Sequence, residues 1–441
     1  MSDFDGDIFM NDMPGPEAEG QEKKVVPRPE HTVSRKNIDE EALKVLYRLH
    51  RHGHKAYLVG GGVRDLLLGR TPKDFDIATD ARPSEVRALF RNSRTIGRRF
   101  RLVQVYFRGN KIVEVSTFRS KSEYDPKEPH VKRRENTFGT AVEDAFRRDL
   151  TINGLFYDIA TFSLIDYIRG LDDLRDGIIR IIGDPETRIL EDPVRMIRAI
   201  RHAARNDFRI EPRTLEAIRK HRREILHCVP ARVCEEFLRL LRERNGAPSI
   251  ELLIDTGLLF VLFPEYEQVL SPDLERSVGA RNSLLKILGV IDARIRSGKS
   301  LNDAVIIAAF LTPLVHGLGI AYKAPRGRGR IPFIRGQIRE VVVPVLSRLG
   351  TSRRNTDSAC QLLGAQFILQ RALGSGAVPK NLRQKSYYPA AIVLYEIGAA
   401  ARGESLPRIF RETQPRDRDR SSRRRRRRRG RGRPEDAKKP V

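Results

Sequence analysis

From Lys55 to Gly183 the apolar residues come in short bursts set apart by turn residues, and the spacing inside the bursts switches between two and helical. Ala56–Val59 reads as a strand, Val63–Leu68 as a short helix and Phe75–Ala78 as a second strand. Leu102–Phe107 and Ile112–Thr117 are β-rich runs separated by Gly109 and Asn110, residues that accept the positive φ of a hairpin turn. Beyond residue 185 the pattern becomes helical. Val194, Ile197 and Ile200 share one face, as do Val233, Phe237, Leu240 and Leu241, and no further strand is predicted. The expected fold class is α+β, an N-terminal mixed α/β domain followed by mostly helical ones.

The 441 residues suffice for several packed units. The predicted divisions are a disordered acidic segment 1–30, a mixed α/β domain 31–185, a helical domain 186–280, a basic helical domain 281–410 and a disordered Arg-rich tail 411–441. The net charge of +26 is shared among them as −5, +7, 0, +14 and +10. A charge that served only solubility would be spread evenly. This one is concentrated toward the C-terminus, where Arg423–Arg429 is unbroken, and it predicts a polyanionic partner.

Other classes are disfavoured by the same sequence. The longest apolar run, Ala304–Leu311, has eight residues before Thr312 and Pro313, whereas a membrane helix needs about 20. The first twenty residues hold six acids and no base, unlike a secretory leader. The three cysteines lack metal-ligand spacing. A cytoplasmic protein without a membrane partner is expected. Ser297-Gly298-Lys299-Ser300 mimics the end of a phosphate-binding loop, but Ala293 stands where that loop needs glycine, so a helix C-cap is predicted.

The chemistry concentrates between Tyr57 and Ile77. A strand runs into Gly60, Gly61 and Gly62 and then a helix, so backbone N–H groups can approach a phosphate with no Cβ in the way. Asp74 and Asp76 are predicted to share one face of a strand, about 6.6 Å apart along it. Paired carboxylates repel unless cations lie between them, and two Mg²⁺ ions about 4 Å apart serve in-line phosphoryl transfer. A solvated strand end is the alternative for the aspartates taken alone.

These motifs resemble the nucleotidyltransferases that extend RNA 3′ ends without a template, a family shared by bacterial poly(A) polymerases and tRNA CCA-adding enzymes. The resemblance runs over roughly residues 31–350. It implies a nucleotidyltransferase head followed by helical neck, body and arm domains, with Asp74 and Asp76 holding two Mg²⁺ ions, or Mn²⁺ in their place. Arg147-Arg148-Asp149-Leu-Thr151-Ile-Asn153 matches a second family motif. It implies Asp149 as a further catalytic carboxylate, and Arg147, Arg148 and Asn153 as nucleotide contacts. Two arginines and an aspartate in a row equally suit a solvated helix end, and Asn153 a turn. Glu114, on Val113–Thr117, is a candidate third metal carboxylate or a surface glutamate. Glu191-Asp192-Pro193-Val194-Arg195 resembles the segment that reads the incoming base, although Asp192 also fits an N-cap and Glu191 with Arg195 an i,i+4 pair.

Arg64 joins the expected nucleotide contacts. Ile96–Val105, with Arg98 and Arg99, resembles the poly(A) polymerase branch, departing at Thr95, and an ordinary basic edge strand is the plain alternative. Arg326–Ile338, with Arg326, Arg328 and Arg330, looks like the same branch and is expected to bind RNA. The implied activity is AMP transfer from ATP to RNA 3′ ends, with pyrophosphate released, as in bacterial mRNA polyadenylation that promotes decay, and with RNA-decay proteins as partners. CCA addition to tRNA and a non-catalytic RNA-binding protein on the same fold are the alternatives.

Overall fold

The computed structural model describes residues 23–97, 101–120, 123–124, 132–134, 138–271, 277–327 and 329–411. Arg98, Arg99, Arg328, the first 22 residues and the arginine run of the tail lie outside the described residues. The chain divides into two compact units, Met1–Ser271 with Arg348–Gly350, and Pro272–Ser347 with Thr351–Val441.

The first unit is built on an eight-stranded sheet. Its strands are β1 (Lys24–Val26), β2 (Ala56–Val59), β3 (Asp76–Thr79), β4 (Ser93–Ile96), β5 (Leu102–Phe107), β6 (Lys111–Thr117), Leu155–Asp158 and Ser163–Asp166. They lie in the order β1, Ser163–Asp166, Leu155–Asp158, β2, β3, β6, β5, β4. All neighbours are antiparallel except β3 and β6, which run parallel with Ile77 opposite Val115. Gly109 (φ 77°) and Asn110 (φ 62°) turn β5 into β6, as their types predict.

β2 is central and buried because its Leu58 and Val59 have protein on both faces. Val59, Ala78, Phe118, Phe156 and Ile165 form one core cluster against which Tyr57 packs, stacked on Phe118 with ring centroids 5.8 Å apart. Helices α1 (Glu40–Arg51), α2 (Gly61–Leu67), α3 (Pro83–Leu89), α4 (Ala141–Phe146) and α5 (Gly170–Asp176) accompany the sheet. In α1, Ala42, Val45, Leu46 and Leu49 recur on one face and are buried, and Asp39 caps its first turn.

Helices α6 (Pro185–Glu191), α7 (Val194–Asn206), α8 (Pro212–His221) and α9 (Pro230–Arg242) follow. The expectation that no strand lies beyond residue 185 is corrected: Arg209–Ile210 pairs in parallel with Ile178–Ile179. In the second unit the apolar run becomes the buried helix Asp303–Gly317, packed by Ser277–Arg296, Arg353–Ser375 and Tyr388–Ala401. Among the described residues no helix is long and apolar enough to cross a membrane. Gly298 (φ 81°) follows the end of Ser277–Arg296, as a C-cap requires.

Candidate active site

The glycine turn is shaped by conformation and by close packing. Gly60 has φ 70° and ψ −136°, a region open essentially to glycine, and a Cβ there would lie 3.2 Å from Arg148 Nη1. A Cβ on Gly62 would lie 3.4 Å from the carbonyl oxygen of Asp74. The bare backbone of α2 therefore rests against the segment leading into β3. The N-cap position is Gly60, so α2 has no side-chain cap on its first-turn N–H groups. Gly60→Ala is expected to cost about 1–3 kcal/mol of stability, read by denaturant unfolding, because the backbone strain cannot relax without displacing Arg148.

Two carboxylates stand beside this turn. Asp76 opens β3, whereas Asp74 precedes it, which corrects two expectations: the strand starts one residue later than Phe75–Ala78, and the two aspartates do not share a strand. Both aspartates are exposed, and Ile77 is buried. The parallel register of Ile77 with Val115 brings Glu114 next to Asp76 on the neighbouring strand. Although solvent reaches the Asp76 carboxylate, surrounding protein pushes its pKa up to about 6; Glu114 and Asp74 add to the rise and Arg148 opposes it. Gln104 Nε2 donates to Glu114 Oε1 at 2.9 Å.

The arginine pair is held from behind by Asp144, a residue absent from the sequence reading. Its buried carboxylate accepts from Arg147 Nε at 2.9 Å through Oδ1 and from Arg148 Nη2 at 2.8 Å through Oδ2. Arg148 also lies over the Phe156 ring, 5.2 Å from its centroid. Arg188 Nη2 donates to the carbonyls of both Arg147 and Arg148 at 2.9 Å, which fixes the main chain at the motif.

Three other expected site residues are built into the protein interior. Arg64 is 2% exposed; its Nε and Nη2 donate to Asp65 Oδ1 at 2.9 and 2.8 Å, and its Nη1 to Asn153 Oδ1 at 2.6 Å. Burial lowers its pKa, opposed by Asp65. The guanidinium aimed by sequence at a phosphate thus holds α2 to Asn153. Asp149 accepts from Arg198 Nε at 2.7 Å and Asn153 Nδ2 at 3.4 Å. Burial would raise its pKa, but Arg198, His202 and Asn153 outweigh it and hold the group well below the usual carboxylate range. The charges that act on Asp76 are those of Glu114, Arg148 and Asp74, while Asp149 bonds Arg198.

Glu191 Oε2 accepts from Arg188 Nη1 at 2.5 Å and from Arg195 Nη1 at 3.2 Å, so the i,i+4 pair is present. Arg195 is buried and also donates to the Arg188 carbonyl. Asp192 is not the N-cap: it closes α6, Pro193 precedes α7, and Arg232 Nη2 donates to Asp192 Oδ2 at 3.0 Å. Asp192 Oδ1 is buried with no hydrogen-bond partner among the described residues. Sequence reading also passed over Asp65, Arg198, Arg201, His202 and Arg205. Their visible signal is the arginine spacing 195, 198, 201, 205 along α7, next to its apolar stripe.

Among the described residues no three Asp, Glu, His or Cys side chains converge into a ready-made metal site. The donor set nevertheless fits a hard divalent cation. Asp74 and Asp76 offer carboxylate oxygens, and a cation would relieve the like-charge crowding recorded at Asp76.

A mixed sheet that carries paired aspartates beside a glycine turn, with an arginine close against that turn, defines a nucleotidyltransferase head. The family description "Poly A polymerase head domain" matches residues 56–180, and "Probable RNA and SrmB- binding site of polymerase A" matches residues 207–270. The chain belongs to the family that contains bacterial poly(A) polymerases and CCA-adding enzymes. A poly(A) polymerase I of Salmonella typhi is 46% identical over 300 residues, covering 66% of this chain and 64% of its own length. A CCA-adding enzyme of Bacillus pumilus is 36% identical over 293 residues, 61% of this chain and 70% of its own. The crystal structure of the Bacillus stearothermophilus CCA-adding enzyme in complex with CTP matches with a TM-score of 0.62 at 27% identity, over 85% of this chain and 80% of that one. The chain spans 64% of the poly(A) polymerase I, less than two thirds of that relative's length, and 70% and 80% of the two CCA-adding enzymes.

Proposed function

We propose that the chain is a template-independent polynucleotide adenylyltransferase that moves AMP from ATP to RNA 3′ ends and releases pyrophosphate. The observation that carries the chemistry is Asp76, crowded by Glu114 and Asp74 and faced by Arg148, which itself lies against Gly60. The choice of adenylate is supported by the higher identity to poly(A) polymerase I than to the CCA-adding enzyme.

In this reading the triphosphate lies along Gly60–Gly62, with Arg148 and Arg147 offsetting its charge. Asp144 keeps both guanidiniums oriented, so their ordering cost is met before ATP arrives. Asp74 and Asp76, with Glu114 as a third oxygen donor, would hold two Mg²⁺ ions, or Mn²⁺, which supply activation of the RNA 3′-hydroxyl and charge neutralisation at the leaving pyrophosphate. Asp149 acts through Arg198 and Asn153, and Arg64 through Asn153, as positioning residues. The orphan Asp192 Oδ1 is an acceptor suited to an exocyclic amine of the base, beside the Glu191–Arg195 pair.

Residues 31–185 would carry the chemistry and 186–280 would read the base. The basic stretch 281–410, with Arg326, Arg328 and Arg330, would hold RNA together with Arg98, Arg99 and the Arg-rich tail. RNA-decay proteins as partners and a cytoplasmic location accompany this reading. Its test incubates the purified full chain with Mg²⁺, a generic RNA, and ATP or CTP separately. Long adenylate tails on any RNA are expected. CMP incorporation confined to trimmed tRNA would instead establish the CCA-adding activity, and binding without incorporation would reduce the chain to an RNA-binding protein.

A further inference from the structure

The second unit contains a pocket of about 750 Å³ between the end of helix Asp303–Gly317, the connection after it, and helices Arg330–Arg348 and Arg353–Ser375. Its walls carry Arg326, Arg330 and Arg371 and, among the described residues, no acidic side chain. Arg330 Nη2 donates to the Ala321 carbonyl at 3.2 Å, which tethers that guanidinium. Arg326 and Arg371 are exposed and form no ion pair among the described residues. Tyr322, on the single turn Ile320–Lys323, lines the same pocket with 93% of its surface in water. Phe367 lines the same pocket, its ring edge to face with His316 at 5.9 Å.

A tyrosine this exposed gains nothing from the core, and three arginines without a carboxylate repel one another. Both costs vanish in one kind of occupant, a ligand with a flat π face for the ring and spaced anionic groups for the guanidiniums. An acidic peptide would satisfy the cations but leave the phenol ring in water. Single-stranded RNA supplies both.

We propose that this pocket docks one nucleotide of single-stranded RNA, its base stacked on Tyr322 and its flanking phosphates held by Arg326 and Arg371. The proposal rests on reading the chain as an enzyme of RNA 3′ ends, and adds a grip on a different unit from the carboxylates. Because every base has a π face, such a grip is indifferent to sequence, as extension of many different RNA ends requires.

The test measures equilibrium binding of a labelled 15-nucleotide oligoadenylate to the full chain, without ATP. Tyr322→Ala is expected to weaken binding about ten-fold, the scale of a single base–aromatic stack, with an unchanged salt slope. Tyr322→Phe is expected to stay within about two-fold of wild type, while Arg371→Ala lowers the salt slope by about 0.7. The chain has no tryptophan, so Tyr322→Trp introduces a unique fluorophore, which oligoadenylate should quench and a blunt RNA duplex should not. Wild-type affinity in Tyr322→Ala, or equal quenching by duplex, overturns the pocket. A separate assay of AMP transfer keeps the two readings apart. Absent transfer with Tyr322-dependent binding removes only the enzymatic reading, and transfer with Tyr322-independent binding removes only the pocket.

Discussion

Asp76→Asn is expected to lower AMP transfer by about 10³-fold while RNA affinity stays within about two-fold of wild type. The magnitude is that of losing one preorganised electrostatic group at a reacting phosphate. The substitution keeps the shape of the side chain and removes its charge. A purely structural carboxylate would announce itself differently. The surrounding protein, Glu114 and Asp74 all disfavour the ionised form of Asp76, so its charge costs stability in the folded chain above a pH of about 6. Removing that charge should leave the unfolding midpoint unchanged or raise it. The combination of lost transfer, retained RNA binding and undiminished stability identifies a group kept for chemistry. Single-nucleotide incorporation, RNA binding and thermal unfolding of the same preparation decide the matter, and transfer within ten-fold of wild type would remove Asp76 from the reaction.

Asp65→Leu is expected to do the opposite, destabilising the first unit by about 3–5 kcal/mol. Asp65 is buried and accepts from Arg64 on one oxygen and from Arg205 Nη2 at 2.7 Å on the other. Its loss strands the Arg64 guanidinium, 2% exposed, without a counter-charge, and breaking a buried pair from one side costs far more than replacing both members. The unfolding midpoint should fall by about 10 °C. Arg64→Met combined with Asp65→Leu should recover much of the loss, with Arg205 free to turn to solvent. The double variant also asks whether Arg64 contacts nucleotide. ATP affinity near wild type in the restored protein would confirm that its work is internal, whereas a loss beyond ten-fold would return it to the phosphate site.

The parts of this protein legible in its sequence are those decided by neighbours in the chain. Ala56–Val59 and Leu102–Phe107 coincide with their predicted spans because each alternates or saturates with apolar residues. The hairpin at Gly109 and Asn110 follows from local backbone freedom alone. Glu114 lies beside Asp76 because adjacent strands in register bring their residues level. Strands such as Lys24–Val26 and Ser93–Ile96 escape notice because they sit at the sheet edges, where polar and basic residues are tolerated and the apolar pattern fades. The two-residue pairing of Ile178–Ile179 with Arg209–Ile210 is too short to leave any period.

Charge was legible in amount and illegible in direction. Arg64 adjoins a glycine turn in the sequence and reads as a phosphate ligand, yet its partners Asn153 and His202 are 89 and 138 residues away. Only the closing of the sheet against α7 makes that arginine internal. Asp144 shows the converse. It resembles an ordinary acid on a short helix, and its importance lies in the two guanidiniums that the turn after α4 folds back onto it.

α7 has a mechanical consequence. Arg198 bonds Asp149 beside the sheet and Glu236 on α9, Arg205 bonds Asp65 on α2, and Arg201 bonds Glu243 just after α9. The helix is thus a strut riveted on two sides at several heights. A bend between sheet and α9 would strain several charge-assisted bonds together, so these contacts oppose bending there. In the proposed reaction, the compliance that admits a nucleotide and lets pyrophosphate go would come from the segments the strut does not brace.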